Sequence, residues 1–202
     1  MMKRTLLAAS LLSLSAVSMA DQKLGLAIGG SLALDRSNFY DELEDELPSG
    51  VSLDEDSAAV GGDIYVGLAF GGASTLRLGY RKFGDQDADA ISGGVKTGDV
   101  KMEADGTYLA ADLLFPLNDS FYLGGTLGLQ NWDGKVTASG VGGRATIKDD
   151  ARDFFYGLRG KALLKDSNLA LTFSYNRYDF DAEGGDDIKY DSISVGLEGY
   201  FY

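Results

Sequence analysis

The sequence predicts an all-β fold, an eight-stranded antiparallel up-and-down transmembrane β-barrel. Three observations predict it: eight segments alternate apolar with small or polar residues, their connections alternate short and long, and the last segment keeps the pattern to an aromatic end. In residues 193–202, Ile193, Val195, Leu197, Gly199 and Phe201 share one face, and Ser194, Gly196, Glu198 and Tyr200 share the other. Successive side chains of a strand point to opposite faces, so a period of two specifies a strand with one apolar side.

The first segment is not part of the barrel. Lys3 and Arg4 precede an apolar stretch from Leu6 to Leu14, and Ser18-Met19-Ala20 offers a small-x-small cleavage site. This reads as a secretory leader over residues 1–20, because the apolar stretch falls short of the roughly 20 residues that cross a bilayer. Residues 21–202 are then the mature barrel domain. No later run of apolar residues is long enough for a membrane helix. The 28 Gly and 22 aromatic residues, with only two Pro, suit short antiparallel strands. The chain has no Cys, so an exported protein of this kind has no disulfide framework. Its net charge of −13 becomes −15 once Lys3 and Arg4 leave with the leader, which excludes nucleic acid as a partner.

The eight strands follow in order. The first covers residues 23–34, with Leu24, Leu26, Ile28 and Leu32 on one face; the second covers 60–70, with Ile64, Val66, Leu68 and Phe70. A Gly71–Ser74 turn leads to the third, 75–83, where Leu76, Leu78 and Tyr80 align. The fourth, 107–115, aligns Leu109, Ala111, Leu113 and Phe115, and Pro116–Ser120 turns the chain into the fifth, 121–132, with Phe121, Leu123, Leu127 and Leu129. The sixth, 153–164, aligns Phe154, Tyr156, Leu158 and Ala162; Lys165–Ser167 leads to the seventh, 168–179, with Leu169, Leu171, Phe173 and Tyr175. Short turns follow strands two, four and six, and long loops follow the others. That is the order expected of a barrel inserted from one side, with short periplasmic turns and long outer loops. Phe70, Phe115, Phe121, Phe201 and Tyr202 form one aromatic band; Tyr80, Trp132, Phe154, Tyr156, Tyr175 and Tyr178 form the other. A soluble antiparallel barrel or sandwich also alternates, but it turns its large apolar side chains inward.

The faces opposite the apolar rows carry charges in mid-strand. Asp63, Arg77, Arg81, Asp112, Arg159, Lys161 and Glu198 point into a lumen that eight strands leave only wide enough for side chains. Four positive and three negative groups in that space are expected to pair, with Asp112 and Glu198 bridging to the arginines. The pairing reads as a sealed plug, or alternatively as a gate on a narrow, porin-like path for ions or small solutes.

The first long loop holds nine acids from Asp35 to Asp56 and places Phe39, Leu43 and Leu47 at the spacing of a short helix. Asp85-Gln-Asp87-Ala-Asp89 has the start of a calcium loop, but Ala90 and Lys96 stand where its Gly and Glu belong, so no metal site is assigned. Glu183, Asp186 and Asp187 form an acidic tip on the last loop. The chain has no His, and a Ser nucleophile without a neighbouring base is poorly activated, so no enzyme and no cofactor are expected.

Over the whole mature chain, these features resemble the eight-stranded outer-membrane barrels related to the OmpA transmembrane domain and to OmpX. The resemblance implies the outer membrane of a Gram-negative bacterium, a monomer, and assembly by periplasmic chaperones and the barrel-assembly machinery. It implies that Leu197, Gly199, Tyr200, Phe201 and Tyr202 form the terminal assembly signal, although Gly199 stands where an aromatic is common. It also implies contacts with outer-membrane lipid and lipopolysaccharide, and a structural or surface-interaction role in which the acidic loops meet a host or surface ligand. Outer-membrane barrels that hydrolyse or transfer acyl chains rely on His beside Ser, which this sequence lacks.

Overall fold

The structure, a computed structural model, describes residues 24–47, 51–55, 58–71, 73–140, 143–180 and 188–202. The expected leader, the acidic tip at Glu183, Asp186 and Asp187, and Asp56 lie outside the described residues, as do the side chains of Asp41, Glu42, Asp45 and Glu46. The elements are β1 (Gly25–Ser37), α1 (Phe39–Glu46), β2 (Val51–Glu55), β3 (Ala59–Phe70), β4 (Ser74–Lys82), β5 (Gln86–Ser92), β6 (Val95–Pro116), β7 (Phe121–Gly140), β8 (Gly143–Leu163), β9 (Leu169–Phe180) and β10 (Ile188–Phe201).

Eight of these strands close into a ring in the order β1-β3-β4-β6-β7-β8-β9-β10, with β10 pairing back onto β1. Closure satisfies every ladder within the wall, as a sheet in hydrocarbon requires. The ladders spiral. Starting at Ala27 and stepping across through Gly67, Arg77, Ala110, Gly128, Phe155, Tyr178 and Tyr190, one circuit returns to β1 at Ser37, ten residues farther along. In eight strands such a stagger tilts the strands by roughly 35–45° and leaves an interior filled by side chains.

The apolar rows face out. Leu32, Ile64, Leu78, Leu127, Leu158 and Ile193 are 58–68% exposed, whereas Ala27, Tyr65, Arg77, Asp112, Lys161 and Glu198 are buried inside. A soluble barrel has the opposite arrangement. The surface that these rows form is a band for acyl chains, edged by Phe115, Phe121 and Phe201 at the short-turn end and by Tyr80, Phe154 and Tyr156 at the other.

The structure departs from the sequence-based expectation in three places. First, the long connections at 84–106 and 133–152 are not loops. β6, β7 and β8 run on for 22, 20 and 21 residues, and with β5 and β2 they raise a five-stranded sheet, ordered β2-β5-β6-β7-β8, beyond the band. Both faces of much of this sheet meet water, so it lacks the apolar alternation that marks a membrane strand. Gly93 and Gly94, with φ of 58° and 78°, form the tight turn between β5 and β6, a conformation that glycine adopts at little cost. Second, Trp132 and Tyr178 do not join the outer aromatic band; they are buried in the lumen. Third, Asp35 belongs to β1, which extends to Ser37, and its carboxylate is buried. The short helix expected near Phe39 is present as α1.

Candidate functional site

Alternation in the ring strands sends two layers of side chains into the lumen. Towards the short-turn end lies an ion-pair network. Arg77 meets Asp112 at 2.7 Å and Asp63 at 3.8 Å. Arg159 meets Asp112 at 3.3 Å and Glu198 at 3.4 Å, and Lys161 Nζ meets Glu198 Oε1 at 2.5 Å. Six of the seven residues expected in the lumen network therefore form one connected group. Arg81 is separate: it bonds Asp35 at 2.5 Å and Ser192 Oγ at 2.7 Å, nearer the long-loop end. With Asp35 included, these ion pairs join four cations to four carboxylates; Asp153, also on the inward face, accepts from the Trp132 indole at 2.7 Å.

Neutral side chains complete the bonding. Tyr65 donates to Glu198 at 2.7 Å and accepts from Arg159 at 2.7 Å. Tyr108 donates to Asp63 at 2.6 Å and accepts from Arg77 at 3.2 Å, and Ser31 also donates to Asp63. Thr75 and Thr126 each donate to Asp112 at 2.7 Å. Lys161 also donates to the Ala73 carbonyl at 2.8 Å. Charged hydrogen bonds of this kind are about twice as strong as neutral ones, and here they have little competition from water. The tyrosines fit because glycines lie beneath them: a Cβ on Gly29 would come within 2.4 Å of the Tyr65 hydroxyl, and one on Gly79 within 2.5 Å of the Tyr108 ring.

The second layer is aromatic. Phe83, Met102, Trp132, Phe155, Tyr178, Phe180 and Tyr190 pack together at the outer end of the barrel. Phe83 meets Tyr178 and Phe180 edge-on at 5.0 and 5.5 Å, and Phe155 stacks on Tyr178 at 4.8 Å. Arg81 lies over the Phe83 and Tyr178 rings at 4.6 and 5.1 Å, joining the aromatic layer to the Asp35 ion pair. α1 covers this mouth. Phe39 packs on the cluster, and the Tyr40 hydroxyl donates to the Gln86 and Val100 carbonyls.

Sequence reasoning missed Asp35, Tyr65 and Tyr108 as network members. Strand parity carried the signal for Asp35, which continues the inward row Gly29, Ser31, Ala33. Of the terminal motif, Leu197 and Phe201 face outward, Tyr200 is buried in the lumen, and Tyr202, exposed at the end of the chain, stacks its ring on that of Tyr200 at 6.1 Å. Gly199 pairs with Ile28 on β1 and Leu169 on β9.

Outside the band, charge dominates the face of the raised sheet that continues the barrel's exterior. Lys135 lies 2.6 Å from Glu103 and holds that carboxyl below the usual carboxylate range. Lys96 pairs with Asp89 and Asp99, and Lys101 with Asp85. Among the described residues, no group of His, Cys, Asp and Glu has the geometry of a metal site.

Comparison with known structures agrees with this geometry. Ail of Yersinia pestis, solved with the heparin analogue sucrose octasulfate, matches with a TM-score of 0.53 at 16% identity, over 88% of this chain and 99% of its own. The outer membrane protein OprG from Pseudomonas aeruginosa matches with a TM-score of 0.50 at 15% identity, over 89% of this chain and 96% of its own. At these identities the likeness concerns the fold. No curated protein sequence matches the chain. The profile of the family described as outer membrane protein beta-barrel domain matches residues 5–201, which places the protein in the outer membrane of a Gram-negative bacterium. With a closed eight-stranded wall, an apolar exterior and a profile spanning nearly its full length, the chain belongs to the outer membrane protein beta-barrel domain family.

Proposed function

We propose that this protein is a structural and surface-interaction barrel, not an enzyme, whose lumen is plugged and whose activity resides in the sheet raised beyond the membrane. The observation that carries this reading is the filled lumen: four buried cations meet four carboxylates, and an aromatic layer under α1 covers them. Such a barrel anchors the raised sheet and stiffens the membrane around it. Lys82, Lys135 and Lys148 lie above the outer aromatic band interleaved with Glu103, Asp105, Asp133 and Asp150, a mixed surface suited to lipopolysaccharide phosphates through bridging divalent cations. Its many carboxylates favour basic surface ligands or contacts bridged by divalent cations. They disfavour a polyanion such as the heparin analogue bound by Ail. Leu197, Gly199, Tyr200, Phe201 and Tyr202 supply the motif for the assembly machinery and its chaperones, and the barrel sits in its membrane as a monomer.

The alternative, a narrow conduit, draws support from Gln130. Its side chain is fully buried in the lumen and neither amide atom finds a hydrogen-bond partner among the described residues, which favours a hydrated path. Planar-bilayer recordings separate the two readings. The plugged barrel predicts a silent bilayer, with surface binding lost when β5 and the outer parts of β6 to β8 are removed. Stable openings that shrink when Arg159 or Glu198 is neutralised would overturn it in favour of the conduit.

A further inference from the structure

The outer part of β8 is the least covered segment of the raised sheet. Its pairing with β7 is continuous out to Gly140 and Gly143. On its other side, pairing with β9 stops at Phe155 and Tyr178, although Asp179 and Phe180 continue β9. No described strand therefore meets the free backbone groups of β8 from Gly143 to Phe154. Residues 143–148 are exposed on both faces of the strand, and Ile147 is 69% exposed in a segment that stands outside the lipid. Protein edges are usually guarded by a bulge, a proline or charged side chains. This stretch has no bulge in its ladder and no proline, so its charges are what select a partner strand.

Those charges are arranged to complement themselves. Arg144, Thr146, Lys148 and Asp150 share the face that continues the barrel's exterior, and Ala145, Ile147 and Asp149 the face that continues its interior. Consider two copies of the edge, antiparallel, with their charged faces continuous. Centred on Ile147, each Arg144 lies opposite the other copy's Asp150, each Lys148 opposite Thr146, and the two Ile147 side chains meet. Centred on Thr146 or on Lys148, Arg144 opposes Lys148 or Arg152, and like charges directly opposite destabilise a sheet. Centred on Asp149, the two Asp149 carboxylates oppose one another.

We propose that the free edge of β8 is a self-association surface, through which two copies of this protein pair antiparallel about Ile147 by strand addition. The proposal rests on the reading above that the sheet stands outside the membrane. Antiparallel pairing sets the two barrels at opposite ends of the joined sheet. It therefore joins copies in facing membranes, while each barrel stays single in its own.

The test uses the full chain, folded in detergent micelles. The sequence has no Cys, so single cysteines report cleanly. A short bismaleimide is expected to cross-link Ile147→Cys at least about tenfold faster than Ser139→Cys, which sits in the middle of the sheet. Arg144→Asp should weaken self-association by about tenfold, and Arg144→Asp with Asp150→Arg should restore it, since the reciprocal pair is rebuilt with its signs exchanged. Equal cross-linking at the two positions, a double exchange that behaves like Arg144→Asp, or a monomeric wild-type protein would overturn the proposal. In each case a heat-dependent shift in gel mobility must show that the barrel is folded. Loss of that shift in the wild-type protein overturns the barrel reading beneath the proposal instead.

Discussion

Replacing Glu198 by Leu is expected to destabilise the folded barrel by about 3–5 kcal/mol, the usual cost of leaving a buried charge without its partner. The cost falls unevenly. Arg159 keeps Asp112 at 3.3 Å and the Tyr65 hydroxyl at 2.7 Å. Lys161 loses the one carboxylate it bonds among the described residues and keeps the Ala73 carbonyl, the Thr75 hydroxyl and the Tyr200 ring, 5.7 Å away. Removing Lys161 together with Glu198 should therefore recover most of the loss. In Lys161→Met/Glu198→Leu two well-packed apolar side chains replace a desolvated pair, an exchange that is often neutral. Urea unfolding in lipid vesicles reads both variants. Equal losses in the single and double variants would mean that Glu198 acts through packing or assembly, with no part in balancing Lys161.

The second large effect lies one residue from that network. Leu158 precedes Arg159 on β8 but points the other way, 60% exposed on the apolar band and between the aromatic edges of the barrel. Leu158→Arg places a cation in hydrocarbon and should cost about 2–4 kcal/mol in vesicles. The same substitution at Thr146, on the raised sheet, should stay within about 0.5 kcal/mol, because that residue faces water. Adjacent residues of one strand thus differ in what they tolerate: Leu158 excludes charge, and Arg159 requires it.

How far the sequence reveals this protein follows from what each segment touches. The ring strands are legible because lipid on one side and a narrow lumen on the other impose opposite demands on alternate residues. Rows such as Leu123, Leu127 and Leu129 against Thr126, Gly128 and Gln130 record both. The raised sheet is not legible by the same rule. Where β8 leaves the membrane, Arg144-Ala-Thr-Ile-Lys148 has water on both faces, so no apolar period remains; the glycine pairs at 93–94 and 142–143 were the turn signals within what looked like loops. Trp132 and Tyr178 illustrate a different failure. Their place near the long connections suggested the interfacial band, but their parity matches Gln130 and Asn176, which face the lumen. Parity decides the face of a strand residue, and here it outweighs the preference of aromatics for interfaces. The partner of Arg81 was hidden for a related reason. Asp35 sits in an acid-rich stretch, and only its position two residues beyond Ala33 sets it apart from the solvated acids that follow.

The most direct measurement is lipid contact of the apolar row on the final strand. Single cysteines at Ile193, Val195 and Leu197, and at Thr146 and Lys148 on the raised sheet as water-facing controls, are labelled with a small fluorophore in a chain that has no other Cys and placed in vesicles of brominated lipid. Strong quenching is predicted at Ile193, Val195 and Leu197, and little at Thr146 and Lys148. Quenching at Ile193, Val195 and Leu197 no stronger than at the two controls would mean that the apolar rows do not face the bilayer.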